Sequence, residues 1–383
     1  MRVLVLNCGS SSVGCSLYDD ETLLFDAKAH RVGVRGTEAP WVEVRVPRAR
    51  RVEAELADHS QAAEVILDLL LGEGLTPDAV GHRFVHGGER SEPMRVRSDD
   101  PALEALVPLA PLHNAFSLAA MRAVSARFPD VDHVLVFDTA FHAGMPAAAR
   151  VAALPNDLAW RFARVGFHGL SYRSVVDALT ATLGTLPERL VICHLGTGGS
   201  SATAVLRGNS MDTSMAASPL AGLIMSTRCG DLDPAAALDL AREQGVDATL
   251  SMLNRESGLL GLSGLSPDIR DLLARADDIP RARLAVDAYF HRLSRTIGAL
   301  TASLGGLDAL AFTDDVGLRL PEVRAGACAR LGFLGIRLDT QANLDANGAE
   351  LADVSTPDAQ ATVWVVPNDE ELVVARATRE VLS

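Results

Sequence analysis

Apolar positions fall in short unbroken runs closed by glycine- and serine-rich breaks, the pattern of strands buried on both faces. Residues 2–7 (RVLVLN) predict one such strand, Gly9-Ser10-Ser11-Ser12 a turn, and Val13 to Tyr18 a second strand. The same plan recurs with a run at Leu190 to Leu195, a turn through Gly196-Thr197-Gly198-Gly199-Ser200-Ser201 and a strand from Ala202 to Leu206. Two copies about half a chain apart suggest an internal duplication. Two unrelated hairpins fit the same letters, because Gly/Ser turns are common. Runs at Ala79 to Val85, Val131 to Phe137 and Leu307 to Thr313 predict further strands leading into loops. Helical spacing is visible around 60–72, 115–127, 234–244 and 281–304. After Pro367, Asn368 is the expected N-cap of a last helix from Asp369 to Leu382. Strands alternating with helices predict an α/β protein with mostly parallel sheet and ligands at the C-terminal strand ends. The segments MPAAAR and LPND interrupt the periodicity and predict a domain boundary near 148–155, giving units of 1–148 and 149–367.

Composition narrows this picture. A chain of 383 residues with 48% hydrophobic content can bury two cores of ordinary size. A net charge of −14 argues against a sequence-independent grip on nucleic acid, which needs Lys and Arg to displace phosphate counterions. Lys28 is the one lysine among 35 basic residues, so any anion site must be built from arginine, histidine and backbone. Cys8, Cys15, Cys193, Cys229 and Cys328 are scattered, form no CxxC pair and suggest neither a disulfide framework nor a zinc site. The strand-like start and the lack of any run of ~18 apolar residues predict a cytoplasmic chain that does not enter a membrane.

Several segments carry candidate chemistry. Small residues in NCGSSS (7–12) let backbone N–H groups converge on an anion, and Asn7 at the strand end can hold a magnesium-bound water. HLGTGGSS (194–201) is a second cradle, richer in glycine, which permits close approach to phosphate. Each alone reads more readily as a plain hairpin turn; matching copies point to a bound phosphate chain. Arg83 in GHRFVHGGE and Arg228 in STRCGDLDP lie among glycines, where a guanidinium is directed rather than left on a solvated helix face. His113 and His168 are single histidines, a type more often structural than catalytic. Asp138 follows an apolar run, where a carboxylate needs a cationic partner.

Taken in order, NCGSSS, GHRFVHGGE, LAPLHN, VFDTAFH, GFHGLSY, HLGTGGSS, SPLAGLIMSTRCGDLDP, SGLLGLSGLSPDIRDL and PNDEELVVAR resemble the acetate kinase family from residue 2 to about 376. The resemblance implies the fold of sugar kinases, the heat-shock ATPase and actin: duplicated ribonuclease-H-like domains, each βββαβαβα, closing over substrates in an interdomain cleft. It implies a homodimer, with the final helix (368–383) folding back onto the first domain. It implies reversible Mg²⁺-dependent phosphoryl transfer from ATP to acetate or another short-chain carboxylate. Carried over, Arg83 and Arg228 contact the carboxylate and the transferring group, and His168 stabilises that group with His113 nearby. Asp138 orients an arginine or assists the reaction. Asn7 and Glu370 serve the magnesium shell. His194, Leu195, Gly196, Thr197, Gly198, Asp268, Ile269, Arg270, Asp315, Val316 and Gly317 lie along the nucleotide. Val85, Leu112, Phe167 and Pro219 form the acyl pocket.

Three departures from the family pattern stand out. Gly14 stands where members usually carry lysine, and Thr197 where asparagine is usual. The adenosine-side TGGIGEN loop is here Thr313-Asp314-Asp315-Val316-Gly317-Leu318-Arg319, with two aspartates for two glycines. The acceptor side is thus intact and the donor side altered. Weaker use of ATP, another donor such as pyrophosphate, a weak or inactive relative serving as a binding module, and a changed acceptor all fit. Retention of Arg83, Asp138, His168, Arg228 and Glu370 points to an active enzyme.

Overall fold

A computed structural model describes residues 1–34 and 39–383, with Leu112 described by its backbone alone. The chain divides into two units, Met1–Ala143 with Asp369–Ser383, and Gly144–Asn368.

In the first unit the sheet is built around β1 (Arg2–Cys8), whose Val3, Leu4 and Val5 are fully buried. It pairs antiparallel with β2 (Ser12–Asp19), which continues through β3 (Thr22–His30), β4 (Trp41–Val46) and β5 (Arg50–Glu53). On its other side β1 runs parallel to β6 (Ala79–Phe84), which runs parallel to β8 (Asp132–Phe137); β7 (Met94–Val96) closes the edge. Leu4, Leu6 and Cys8 face a core with Ile66, Leu67 and Leu70 of the His59–Gly72 helix and Ala120 and Val124 of the Pro111–Arg127 helix. The last helix, Glu370–Leu382, packs against β6 so closely that a Cβ on Gly81 would come within 2.5 Å of Thr378 Oγ1 and 2.7 Å of Val374 Cγ1.

In the second unit β9 (Arg189–Leu195) is the centre. It pairs antiparallel with β10 (Ser200–Leu206), which pairs with β11 (Asn209–Thr213). It runs parallel to β12 (Ala309–Thr313), itself parallel to β14 (Thr362–Val365), with the short β13 (Ala352–Asp353) outside. The Pro280–Leu304 helix presents Ala282, Ala285, Tyr289, Leu293, Ile297, Leu300 and Leu304 to this core, at the three- and four-residue spacing of one helix face.

The two sheets share one order, β3-β2-β1-β6-β8 and β11-β10-β9-β12-β14, and this decides for duplication over unrelated hairpins. The expectation of mostly parallel sheet is corrected. Each unit has three mutually parallel strands, because tight Gly/Ser turns force their flanking strands antiparallel, whereas parallel pairing needs a long crossover. The last helix is capped by Asp369, which accepts from Leu372 N at 2.8 Å, and not by Asn368, whose amide donates to Ser171 Oγ at 3.1 Å. Residues 314–319, expected as a loop, form a short helix entered through Asp314 at φ +63°. The Gly169–Leu183 helix, invisible to periodicity, begins directly after His168 at φ +60°.

Candidate active site

Strands β1, β6 and β8 run in one direction, and the side chains at their C-terminal ends meet. Arg83, next to last in β6, donates from Nε to Asp138 Oδ1 at 3.1 Å and from Nη2 to Asp138 Oδ2 at 2.6 Å, a fork-to-fork pair. Its Nη1 donates to Asn7 Oδ1 at 2.8 Å and lies 3.7 Å from Glu370 Oε2. The Asn7 amide in turn donates to Glu371 Oε1 at 2.9 Å and Glu370 Oε2 at 3.5 Å. Burial opposes the Arg83 charge, but the Asp138 and Glu370 carboxylates outweigh it, so the guanidinium pKa is raised. The loop after β6 is fixed by buried Asn114, whose Oδ1 accepts from Val85 N at 3.1 Å and His86 N at 3.3 Å. Gly87 N donates to Thr139 Oγ1 at 3.1 Å, and a Cβ on Gly87 would meet the Phe137 ring at 2.5 Å, so glycine is required there. Val85 is buried, and His113 sits half-buried in the first turn of the Pro111–Arg127 helix. The Leu112 side chain lies outside the described residues.

Asn7, Glu370 and the neighbouring Glu371 form a cluster of hard oxygen donors, the chemistry that suits Mg²⁺, which commonly takes one or two carboxylates and keeps several waters. Because Asn7 Oδ1 already accepts from Arg83, the carboxylates are the direct ligands this cluster offers. Among the described residues no group of three or more His, Cys, Asp or Glu forms a metal site.

In the second unit the turn between β9 and β10 is the focus. His168 Nδ1 bonds Ser201 Oγ at 2.7 Å, and Ser201 also bonds the buried Tyr172 hydroxyl. Arg228 Nη1 donates to the Pro219 carbonyl at 3.3 Å and lies 4.0 Å from Met225 Sδ. No carboxylate pairs with Arg228 among the described residues, and burial lowers its pKa. A Cβ on Gly199 would lie 3.2 Å from Arg228 Nη1 and 3.6 Å from His168 Nε2, so both groups converge on a point that only glycine leaves open. Phe167 is buried and Pro219 half-buried.

The other end of that turn is differently furnished. His194 stacks on His168 with ring centroids 4.0 Å apart, bonds Ser171 Oγ through Nδ1 at 2.9 Å, and places Nε2 3.1 Å from Asp314 Oδ2. Asp315 accepts from Thr197 N at 2.9 Å and from Thr197 Oγ1 at 3.1 Å. Asp268 caps the Ile269–Leu273 helix and also takes the Arg270 guanidinium, Nε at 2.8 Å and Nη2 at 2.6 Å. The hydrogen bond from Arg270 holds the Asp268 carboxyl below its usual range. Leu195, Ile269 and Val316 are side chains of the hydrophobic core, and Gly317 is buried with its carbonyl accepting from Arg324. Of the positions expected along a nucleotide, these four turn their side chains or backbone inward.

The Acetokinase family profile matches residues 2–376. The chain belongs to the acetokinase family. Across its whole length it is 42% identical to an acetate kinase of Dictyoglomus turgidum, covering 98% of that protein, and 39% identical to one of Bacteroides thetaiotaomicron, covering 100%. Its structure is similar to the acetate kinase of Entamoeba histolytica (TM-score 0.90, 36% identity, 99% of each chain). It is also similar to a propionate kinase of Francisella tularensis (TM-score 0.90, 31% identity, 99% of each chain). The fold of this acetokinase chain is the duplicated actin-like ATPase fold, and the chain is a kinase acting on a carboxyl group. No described helix is long and apolar enough to cross a membrane.

Several residues at these sites were not singled out from the sequence. Glu371 differs from Glu370 by nothing in the letters, and only the helix start turns its carboxylate to Asn7. Ser171, Tyr172 and Ser201 lie inside segments that the family pattern marks, but a hydroxyl gives no sign of which imidazole it will hold. Asn114 lies directly after His113, and its role is to staple a loop.

Proposed function

We propose that this chain catalyses reversible, Mg²⁺-dependent phosphoryl transfer between a phosphoanhydride donor and a short-chain carboxylate, acetate or propionate, giving an acyl phosphate. The observation that carries the reading is Arg228: a half-buried guanidinium with no carboxylate partner among the described residues, converging with His168 over Gly199. A cation partly withdrawn from water without a counter-ion is disfavoured, and an anionic ligand would supply one.

The acceptor is ionised at neutral pH, since carboxylic acids titrate near ~4–5, and needs no general base. The difficulty is repulsion between that anion and the phosphate oxygens. Arg228 and His168 neutralise charge on the transferring group, and Arg83, held by Asp138 and Asn7, is the preorganised guanidinium of the first unit. Glu370 and Glu371, oriented by the Asn7 amide, would offer carboxylate oxygens to Mg²⁺, which when bound supplies further neutralisation of phosphate charge. Val85, Leu112, Phe167 and Pro219 are assigned to the acyl chain; such a wall separates homologues by only ~1–3 kcal/mol per methylene. Family membership favours ATP as donor, on the side of His194, Gly196, Thr197, Gly198, Asp268, Arg270 and Asp315. Asp314 and Asp315, seated on His194 and Thr197, favour a second reading in which the donor carries no nucleoside. The reading extends to a cytoplasmic homodimer, which sedimentation of the purified protein would check.

Incubation with acetate or propionate, Mg²⁺ and each donor, with acyl phosphate trapped as hydroxamate, tests the reaction. Product is expected, and Arg228→Ala should reduce it by ~10³-fold, as for comparable arginines in phosphoryl transfer. Absence of hydroxamate with every donor and either acid rejects the assignment.

A further inference from the structure

The glycine turn 196–199 has two unlike ends. At Gly198 a Cβ would meet nothing within 4 Å, and at Gly199 it would meet Arg228 and His168. That end is open and lined by cationic or ionisable nitrogen. At the other end the protein's own carboxylates are seated. Asp315 takes the backbone N–H of Thr197, the group that a glycine turn otherwise turns toward a phosphate oxygen, and the Thr197 hydroxyl as well. Asp314 lies over Gly196, where a Cβ would collide with its carboxylate, and pairs with His194 Nε2 at 3.1 Å. Asp314 holds this place at φ +63°, a conformation that costs an ordinary side chain energy and that aspartate adopts more readily than most. Arg270, on this side, is paired with Asp268.

Resting on the phosphotransferase reading above, we propose that this chain takes its phosphoryl group from a nucleoside-free phosphoanhydride, inorganic pyrophosphate, in preference to ATP. A short anhydride occupies the Gly198–Gly199 end alone. A nucleotide must displace Asp315 from Thr197 N and bring its anionic chain past two carboxylates. An acceptor carboxylate oxygen attacks one phosphorus of pyrophosphate, the new O–P bond forms, and the bond from that phosphorus to the bridging oxygen breaks. The electron pair leaves with orthophosphate, so acyl phosphate and orthophosphate are the products, with no redox partner.

The test measures kcat/KM for hydroxamate formation from acetate and Mg²⁺ with pyrophosphate, tripolyphosphate and ATP in separate arms. It also measures the reverse reaction from acetyl phosphate with orthophosphate or ADP. Pyrophosphate should exceed ATP by ~10-fold or more, the worth of one charge-assisted hydrogen bond that the nucleotide must break. Tripolyphosphate above both would support the nucleoside-free class and assign the longer chain as donor. ATP equal to or better than pyrophosphate overturns the inference and leaves the acyl-phosphate reading standing; silence in every arm overturns both. Independently of turnover, ADP affinity measured by calorimetry should rise ~10-fold in Asp314→Gly/Asp315→Gly, and also in the single Asp315→Ala should the double variant fail to fold. Unchanged ADP affinity in a folded variant would show that the carboxylates do not guard the turn.

Discussion

Arg83 and Arg228 look alike in the sequence, each an arginine among glycines, yet they stand in opposite electrostatic circumstances. Arg83 is held by Asp138, whose side chain is 1% exposed, whereas Arg228 has a carbonyl and a thioether for company. From the letters alone, alanine at either position should lower turnover and spare the fold. The structure revises this for Arg83. Removing it leaves Asp138 as a buried charge without its partner, a change that typically costs ~3–5 kcal/mol. Arg228→Ala removes a desolvated cation with no ion pair to break and should leave stability within ~1 kcal/mol of the parent. Urea denaturation of the two variants checks the contrast: similar midpoints for both would contradict the roles given to their surroundings.

Among the elements, the last helix matters most, because it brings Glu370 and Glu371 to β1 and β6. Its start is set by Asp369, which caps Leu372 N at 2.8 Å while accepting the Tyr18 hydroxyl at 3.0 Å. Burial raises the Asp369 pKa, and those two donors work against that desolvation penalty. Asp369→Ala should therefore lower stability by ~1 kcal/mol through loss of the cap. It should also loosen the carboxylate cluster, read as a higher Mg²⁺ concentration for half-maximal turnover; unaltered stability and metal requirement would show that packing alone fixes this helix. The strand elements were largely legible: β1, β2, β6, β8, β9, β10 and β12 lie where apolar runs end in glycine or polar breaks. β4 and β5 were not, because their alternation runs over only 6 and 4 residues. The Gly169–Leu183 helix was missed because it is buried on several sides, which blurs the 3.6-residue period.

At the scale of the molecule, buried histidines tie stability to pH. His82 Nε2 and His133 Nδ1 share a hydrogen bond of 2.9 Å between adjacent strands, and burial lowers both pKa values, His82 well below the ordinary value of 6.5. His59 and His86 are lowered by burial as well. A group depressed in the folded state is protonated first in the unfolded chain. Stability is therefore whole above about 6.5 and falls as pH drops below it, with a slope of up to ~1.4 kcal/mol per pH unit for each histidine. Unfolding free energies measured between pH 7.5 and 5 should show this decline, and His82→Leu should reduce its slope; a flat profile in the parent protein would mean that these imidazoles charge freely in the native state.

Residue order by itself determined the duplicated strand-turn-strand plan, the α/β class, the family and the identity of the charged side chains, because apolar runs and glycine breaks are local and linear. Tertiary structure alone decided which arginine is balanced by a carboxylate, since Asn7, Arg83, Asp138 and Glu370 come from four separate stretches of chain. It also decided what two aspartates in a loop mean. As letters they were added negative charge; folded, they are hydrogen-bonded to Thr197 and His194, because β9 and β12 run parallel with Thr313 paired to His194.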